Sequence, residues 1–514
     1  MGASVLWLLS ALVLAAPQQD ETVRDFKKFF RKAKDPAERA EHVYALDGID
    51  DPSVAKVLIP VLTDDEPMVA AAALDVVSKL PSERARMPFL VIFEKGKPKE
   101  LLPIVVRAAG AGGWTEFTLP IRELLGSGDD ETRLWSVVAC AQLGDLEALP
   151  ILAGMTNSDK LPLVRVALVD ALAALGKGHE EVAGPPLVLA LDDAELAVQT
   201  AACLALRRIR VREAIPVLIR LMEGAEGRIH EHLYPTLLEL TDLPFRDDPA
   251  QWRGWWERAQ GDYQLLSDAE VAKRRAARNQ TNLEYRPERK AASFLGVDTP
   301  SLRVIFVIDV SGSMEEEVVD RELFRERGFV QFGKLDIVRE ELLRTIEGLE
   351  GHVRFNILAF ASEVEQWRND LAPANALNQR SAIDFVRDLE AIGGTASGDL
   401  ANAGLVGSSG LAKGRTNTYA ALCAALGVSE AEALGTATES ARGVKSAVDT
   451  IFFLSDGRPS VGELVDPDDI LVAVNRLNQF RRVTIHTIAI GEFQKDFMYD
   501  LAHKNGGVFV DLGR

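Results

Sequence analysis

Arg303-Val-Ile-Phe-Val-Ile-Asp309-Val-Ser311-Gly-Ser313-Met314 decides how the second half of this chain folds. The apolar run Val304–Ile308 predicts a strand buried on both faces, as in the middle of a parallel sheet. It breaks into Asp-x-Ser-x-Ser, which puts three short oxygen-bearing side chains at alternate positions. Alternate side chains of an extended segment share a face, and Gly312 lets the backbone turn as it leaves the sheet. One carboxylate and two hydroxyls at a strand's carboxyl end make a partial shell for a hard divalent cation, which takes oxygen ligands. Open α/β folds also bind their ligands at that edge. Capping of the following helix would explain one such residue and leave the others unaccounted for.

Two later stretches repeat the design. Gly414-Arg415-Thr416-Asn417-Thr418 is a glycine turn that carries threonine hydroxyls into a helix start, and Phe452-Phe-Leu-Ser455-Asp456-Gly457 is a buried strand ending in a carboxylate and a turn. Around them strands alternate with amphipathic helices. Strands are expected at Val304–Ile308, Val353–Phe360, Thr450–Leu454, Val483–Ile490 and Val508–Val510. Helices are expected near Leu335–Leu349, Ala376–Leu389, from Thr418, Asp468–Phe480 and Gln494–Lys504. This alternation predicts a doubly wound, Rossmann-like α/β layer with a mainly parallel sheet.

Asp-x-Ser-x-Ser after a buried strand, then Gly-x-Thr, then Ser-Asp-Gly after a second buried strand resembles a von Willebrand factor A domain with its metal-ion-dependent adhesion site. The resemblance implies that Ser311, Ser313 and Thr416 are hydroxyl ligands and that Asp309 and Asp456 bind directly or through water. It implies Mg2+, with Mn2+ or Ca2+ in its place, and one coordination position left for an Asp or Glu of a protein partner. Neutral hydroxyls and outer carboxylates leave such a cation electrophilic, so an anionic oxygen completes it well. Gly393-Gly394-Thr395 offers Thr395 as a second candidate threonine, with 396–413 as an insertion beside the site. Thr416 is preferred because it leads straight into an amphipathic helix. A second insertion, Met314–Gly333, carries Glu315-Glu316-Glu317.

The first half repeats itself. Ala70–Pro81, Leu101–Gly112, Arg133–Gly144, Arg165–Gly176 and Gln199–Arg210 recur at roughly 31–34 residues, the period of a stacked helical-pair array, an α-helical solenoid. Shorter segments alternate with them, among them Phe117-TLPIRELL and Ala148-LPILAGM. Acidic breaks such as Asp50-Asp51, Asp64-Asp65, Asp129-Asp130 and Asp192-Asp193 fall near helix starts, where the helix dipole favours carboxylates. The pairs resemble HEAT repeats, which implies a surface for a second protein partner. The expected organisation is a signal peptide over 1–18, helical repeats over 20–263, a linker over 264–300 and the α/β domain over 301–514. Trp252, Trp255 and Trp256 form an aromatic stripe suited to sealing the array's last layer.

Composition narrows the function. A net charge of −19 over 514 residues disfavours phosphate neutralisation, so no nucleic-acid partner is expected. The apolar run Val5–Ala16 is too short to span a bilayer and suits a cleaved export signal, which leaves no membrane span in the mature chain and a periplasmic, cell-surface or extracellular site. Cys140, Cys203 and Cys423 lie far apart in apolar helices, as core filler. No His-Glu-x-x-His or Gly-x-Ser-x-Gly pattern occurs, and Ser311 stands where a phosphotransferase of the haloacid dehalogenase type needs a second Asp. The expectation is therefore an exported, non-enzymatic adhesion-type scaffold. The alternatives are an assembly or maturation factor for another complex, and a metal-dependent hydrolase.

Overall fold

The computed structural model describes residues 21–279, 290–393, 414–430, 433, 448–491 and 495–512. The expected signal peptide, Thr395 and the insertion 396–413 lie outside the described residues. Packing divides the chain into two compact units, with the break between Pro186 and Leu187.

In the first unit, four long helices pack side by side in series: α1 (Pro67–Ser78), α2 (Leu101–Ala111), α3 (Asp130–Gln142) and α4 (Pro162–Leu175). Each coincides with one of the repeated segments. Shorter helices at Pro52–Leu58, Thr118–Glu123 and Leu149–Met155 alternate with them. The acidic breaks act as expected: Asp51 accepts from Ser53 N at 2.8 Å, and Asp129 caps α3 by accepting from Thr132 N at 2.8 Å. Successive layers are tied by arginines. Arg86 meets Glu116 at 2.9 Å, and Arg122 forks onto both oxygens of Asp145 at 2.7 Å each. The close approach of α2 to α3 depends on Gly110, where a Cβ would lie 2.8 Å from Ala139 Cα.

The second unit begins with further helical layers, α5 (Leu196–Leu206), α6 (Ala214–Gly224), α7 (His230–Thr241) and α8 (Pro249–Ala259). On α8 the aromatic stripe is packed: Trp252 is buried, donates Nε1–H to Arg246 O at 2.9 Å and meets Phe245 and Trp255 edge-on. The stretch read as linker holds more structure than its polarity suggests. Within it, β1 (Ala292–Phe294) and β2 (Val297–Thr299) form an antiparallel hairpin. Fully buried Phe294 packs edge-on against Phe306 and Phe452. Strands of three residues carry too little alternation to stand out beside a charged run.

The remaining strands are β3 (Arg303–Asp309), β4 (Arg354–Phe360), β5 (Val364–Gln366), β6 (Ala372–Pro373), β7 (Thr450–Ser455), β8 (Thr484–Ala489) and β9 (Phe509–Asp511). They form one sheet in the order β5-β4-β3-β7-β8-β9, with β6 beside β4. The neighbours β4-β3-β7-β8-β9 are all parallel, while short β5 and β6 run antiparallel to β4. Helices α9 (Lys334–Gly348), α10 (Ala376–Arg387), α11 (Thr418–Ala425), α12 (Pro467–Asn478) and α13 (Lys495–Lys504) complete it. The architecture is the expected doubly wound α/β layer joined to a helical region. Val304, Phe306 and Ile308 point into a core with Leu335, Val338 and Leu342 of α9, and each fully buried side chain of this size contributes about 1.5–3 kcal/mol. The chain leaves β3 to β4 on one side and returns at β7 on the other, so the order reverses between the carboxyl ends of β3 and β7. Such a reversal opens a crevice at the sheet edge.

Candidate metal centre

Three separate stretches meet at that reversal. Asp309 ends β3, and the chain turns through Ser311 into a short helical turn over Gly312–Glu315 that carries Ser313. Asp456 follows β7 directly. Thr416 and Asn417 stand at the start of α11, where the Asn417 side chain caps the helix by accepting from Ala420 N at 3.1 Å. Main-chain bonds hold the stretches together. Gly312 N donates to Gly414 O at 3.1 Å, and Asn417 N donates to Ala361 O at 2.8 Å. Thr416 and Ser460 exchange two bonds of 2.9 Å. Gly414 passes so near Ile392 O that any Cβ there would lie 2.2 Å away.

The side chains of all five residues named from the sequence gather at this edge. Ser313 Oγ donates to Asp456 Oδ1 at 2.7 Å and lies 3.3 Å from Ser311 Oγ. Asp309, fully buried, accepts from Ser311 N at 2.8 Å and from Ser455 Oγ at 2.5 Å. Gly457 marks the middle of the group. A Cβ placed on it would sit 3.2 Å from Thr416 Oγ1, 3.5 Å from Ser313 Oγ and 3.9 Å from Asp309 Oδ2. Only a residue without a side chain leaves that point open to three oxygens. The donor set is all oxygen, the chemistry a hard divalent cation takes, and Asp309, Ser311, Ser313, Thr416 and Asp456 are the residues that could hold one. Among the described residues no group of three or more His, Cys, Asp or Glu side chains has metal-binding geometry. This cluster is built mainly of hydroxyls.

Electrostatics sharpen the picture. Burial first, and the neighbouring Asp456 charge second, push the Asp309 carboxyl well above the usual carboxylate range. Among the described residues, the groups that hydrogen-bond Asp309 are neutral donors, which leave its charge without a cationic partner there. Asp456 is compensated, by a residue the sequence reading passed over. Lys334, at the start of α9, donates from Nζ to Asp456 Oδ2 at 2.7 Å and to Glu316 Oε2 at 2.8 Å. Burial disfavours the ammonium, yet its hydrogen bonds to Asp456 and Glu316 outweigh burial and hold its pKa above the ordinary lysine value. An insertion of twenty residues, Met314–Gly333, separates Lys334 from Asp-x-Ser-x-Ser, so no local spacing pointed to it.

No protein-family profile matches the chain. Among curated proteins, human inter-alpha-trypsin inhibitor heavy chain H4 is 28% identical over 214 residues, 41% of this chain and 18% of that protein. Human von Willebrand factor A domain-containing protein 3B is 27% identical over 180 residues, 34% of this chain and 10% of that one. The chain thus spans less than a fifth of either relative's length. Among solved structures, an aerotolerance-related membrane protein from Bacteroides fragilis matches at 15% identity with a TM-score of 0.26, over 40% of this chain and 90% of that one. Relatives of this chain therefore include a named von Willebrand factor A domain protein, the family that the Asp-x-Ser-x-Ser stretch resembles. Among the described residues, no helix is long and apolar enough to cross a membrane.

Proposed function

We propose that this chain is an exported, non-enzymatic protein-binding scaffold whose α/β unit holds Mg2+ at the carboxyl ends of β3 and β7 and uses it to capture an Asp or Glu of a protein partner. Ser311, Ser313 and Thr416 supply hydroxyl oxygens, and Asp309 and Asp456 supply charge directly or through water. The observation that carries the reading is the point above Gly457, which faces Thr416 Oγ1, Ser313 Oγ and Asp309 Oδ2 within 4 Å. Three stretches far apart in sequence bring oxygens to one place that the backbone keeps clear. A bound cation supplies Lewis acidity to an incoming carboxylate, while the chain orients the oxygens and fixes the α11 start. The HEAT-like helical array offers a second surface, for another protein partner.

Calorimetric titration with Mg2+ tests the metal, and capture of an acidic peptide in Mg2+ against EDTA tests the docking. Saturable Mg2+ binding that is lost in Asp309→Ala, with peptide capture lost in EDTA, is expected. Capture indifferent to both EDTA and Asp309→Ala would sink the reading.

A further inference from the structure

Lys334 is a buried cation lodged beside the proposed metal, and the metal-dependent reading alone gives it no task. Its ammonium is 2.7 Å from Asp456 Oδ2, with the Lys334 side chain 10% exposed and that of Asp456 fully buried. The same nitrogen reaches Ser313 O at 3.4 Å, and Lys334 N donates to Glu316 O at 2.9 Å, so main chain and side chain are both anchored. One oxygen of Asp456 is thereby committed to lysine. The other, Oδ1, faces Ser313. Asp456 is held so that a cation can draw on it through that one oxygen or through the serine, and not as a two-oxygen clamp.

The charge balance follows. Asp309 and Asp456 bring two negative charges, which a divalent cation alone would cancel, and a neutral site has no long-range pull on a carboxylate. Lys334 adds one positive charge, so the loaded site is left positive. Glu316 pairs with the same ammonium, but its side chain is 63% exposed and water screens much of its charge. The lysine therefore has two opposed effects: it repels the bare cation and attracts the anion that follows it.

Resting on the metal-dependent reading above, we infer that Lys334 is a positioning residue that lowers the site's affinity for the free cation and raises the affinity of the loaded site for a carboxylate ligand. Cation and acidic partner are coupled by their own contact, and the lysine shifts the two affinities in opposite directions.

The test uses the full chain and two probes. Free Mn2+ followed by electron paramagnetic resonance gives metal affinity, and acetate displacing water from bound Mn2+, read by water-proton relaxation, gives carboxylate affinity. Lys334→Gln is expected to bind Mn2+ about tenfold more tightly and acetate about tenfold more weakly, with Lys334→Arg close to the parent. Glu316→Gln, which removes a largely exposed negative charge, is expected to weaken Mn2+ about twofold. A merely structural lysine would move both affinities of Lys334→Gln in the same direction, which overturns the inference while leaving the metal reading standing. Mn2+ bound by Lys334→Gln but not by the parent also overturns it, because lysine would then replace the metal. Absence of Mn2+ binding in all four proteins removes the metal reading and this inference together. If Lys334→Gln does not fold, Lys334→Met is read in the same way, and unchanged Mn2+ and acetate affinities in it are decisive against the inference.

Discussion

The two ends of the parallel sheet solve the same electrostatic problem in opposite ways. At the amino end, Asp449 precedes β7 buried, accepts from Ser301 Oγ and lies in the field of Arg228. Arg228, from the turn that opens α7, is itself buried and donates to Thr484 Oγ1 at 2.8 Å and Arg482 O at 2.5 Å. Glu231 of α7 stands 3.9 Å from the same guanidinium. The helical layers thus close that end with a guanidinium of their own. At the carboxyl end, the described hydrogen-bond partners of Asp309 are neutral donors, and Lys334 is turned to Asp456. A sheet end closed by the protein's own cation is structural. One whose backbone keeps a point clear among oxygens is suited to a cation from outside.

Breaking the amino end should have the largest effect. Arg228→Ala removes the cation from a buried acidic cluster and is expected to cost about 3–5 kcal/mol of stability, measured by urea unfolding. The pH dependence of that end is the next test. Burial outweighs the attraction of Arg228 and pushes the Glu231 carboxyl up to about 7 from its ordinary value near 4.5. Between those values the folded state holds a proton that the unfolded state has released, so stability falls as pH rises through the window. Glu231→Gln should remove this slope, gaining up to about 3 kcal/mol on the parent above pH 7 and nothing below pH 4.5. A difference between the two proteins that does not change over that window would contradict the assignment.

The carboxyl end should respond in binding more than in stability. Gly457→Ala puts a methyl group at the point shared by Thr416, Ser313 and Asp309. It should lower Mg2+ affinity at least about tenfold, roughly 1.4 kcal/mol, while shifting unfolding by less than about 1 kcal/mol. Equal Mg2+ affinity in Gly457→Ala would show that any cation sits elsewhere. The smallest effect expected is for Asn417→Ala, which deletes the cap of α11 and should cost about 1 kcal/mol in thermal unfolding.

Much of this architecture was legible in the sequence because its signals are local. The run Val304–Ile308 and its counterpart Ile451–Leu454 within β7 are wholly apolar, as the middle of a strand covered on both faces must be. The repeated helices of the first unit announce themselves by period. The gathering of Asp309, Ser311, Ser313, Thr416 and Asp456 was expected because each stands where a buried strand ends or a helix begins; their role as ligands belongs to the proposal. Features that depend on tertiary pairing were hidden. Lys334 and Arg228 look like surface charges, and only their partners, 122 and 256 residues away, make them interior ones. The β1–β2 hairpin was lost in a polar stretch because three-residue strands have almost no period to read.

The bond from Ser313 to Asp456 spans 143 residues of chain. Its two halves follow adjacent strands, yet the second is synthesised long after the first, and closing so long a loop comes late in assembly. A nascent or truncated chain ending before β7 has the serines but not their carboxylate partner. On the proposed reading, cation uptake would therefore wait until the chain has been carried past β7.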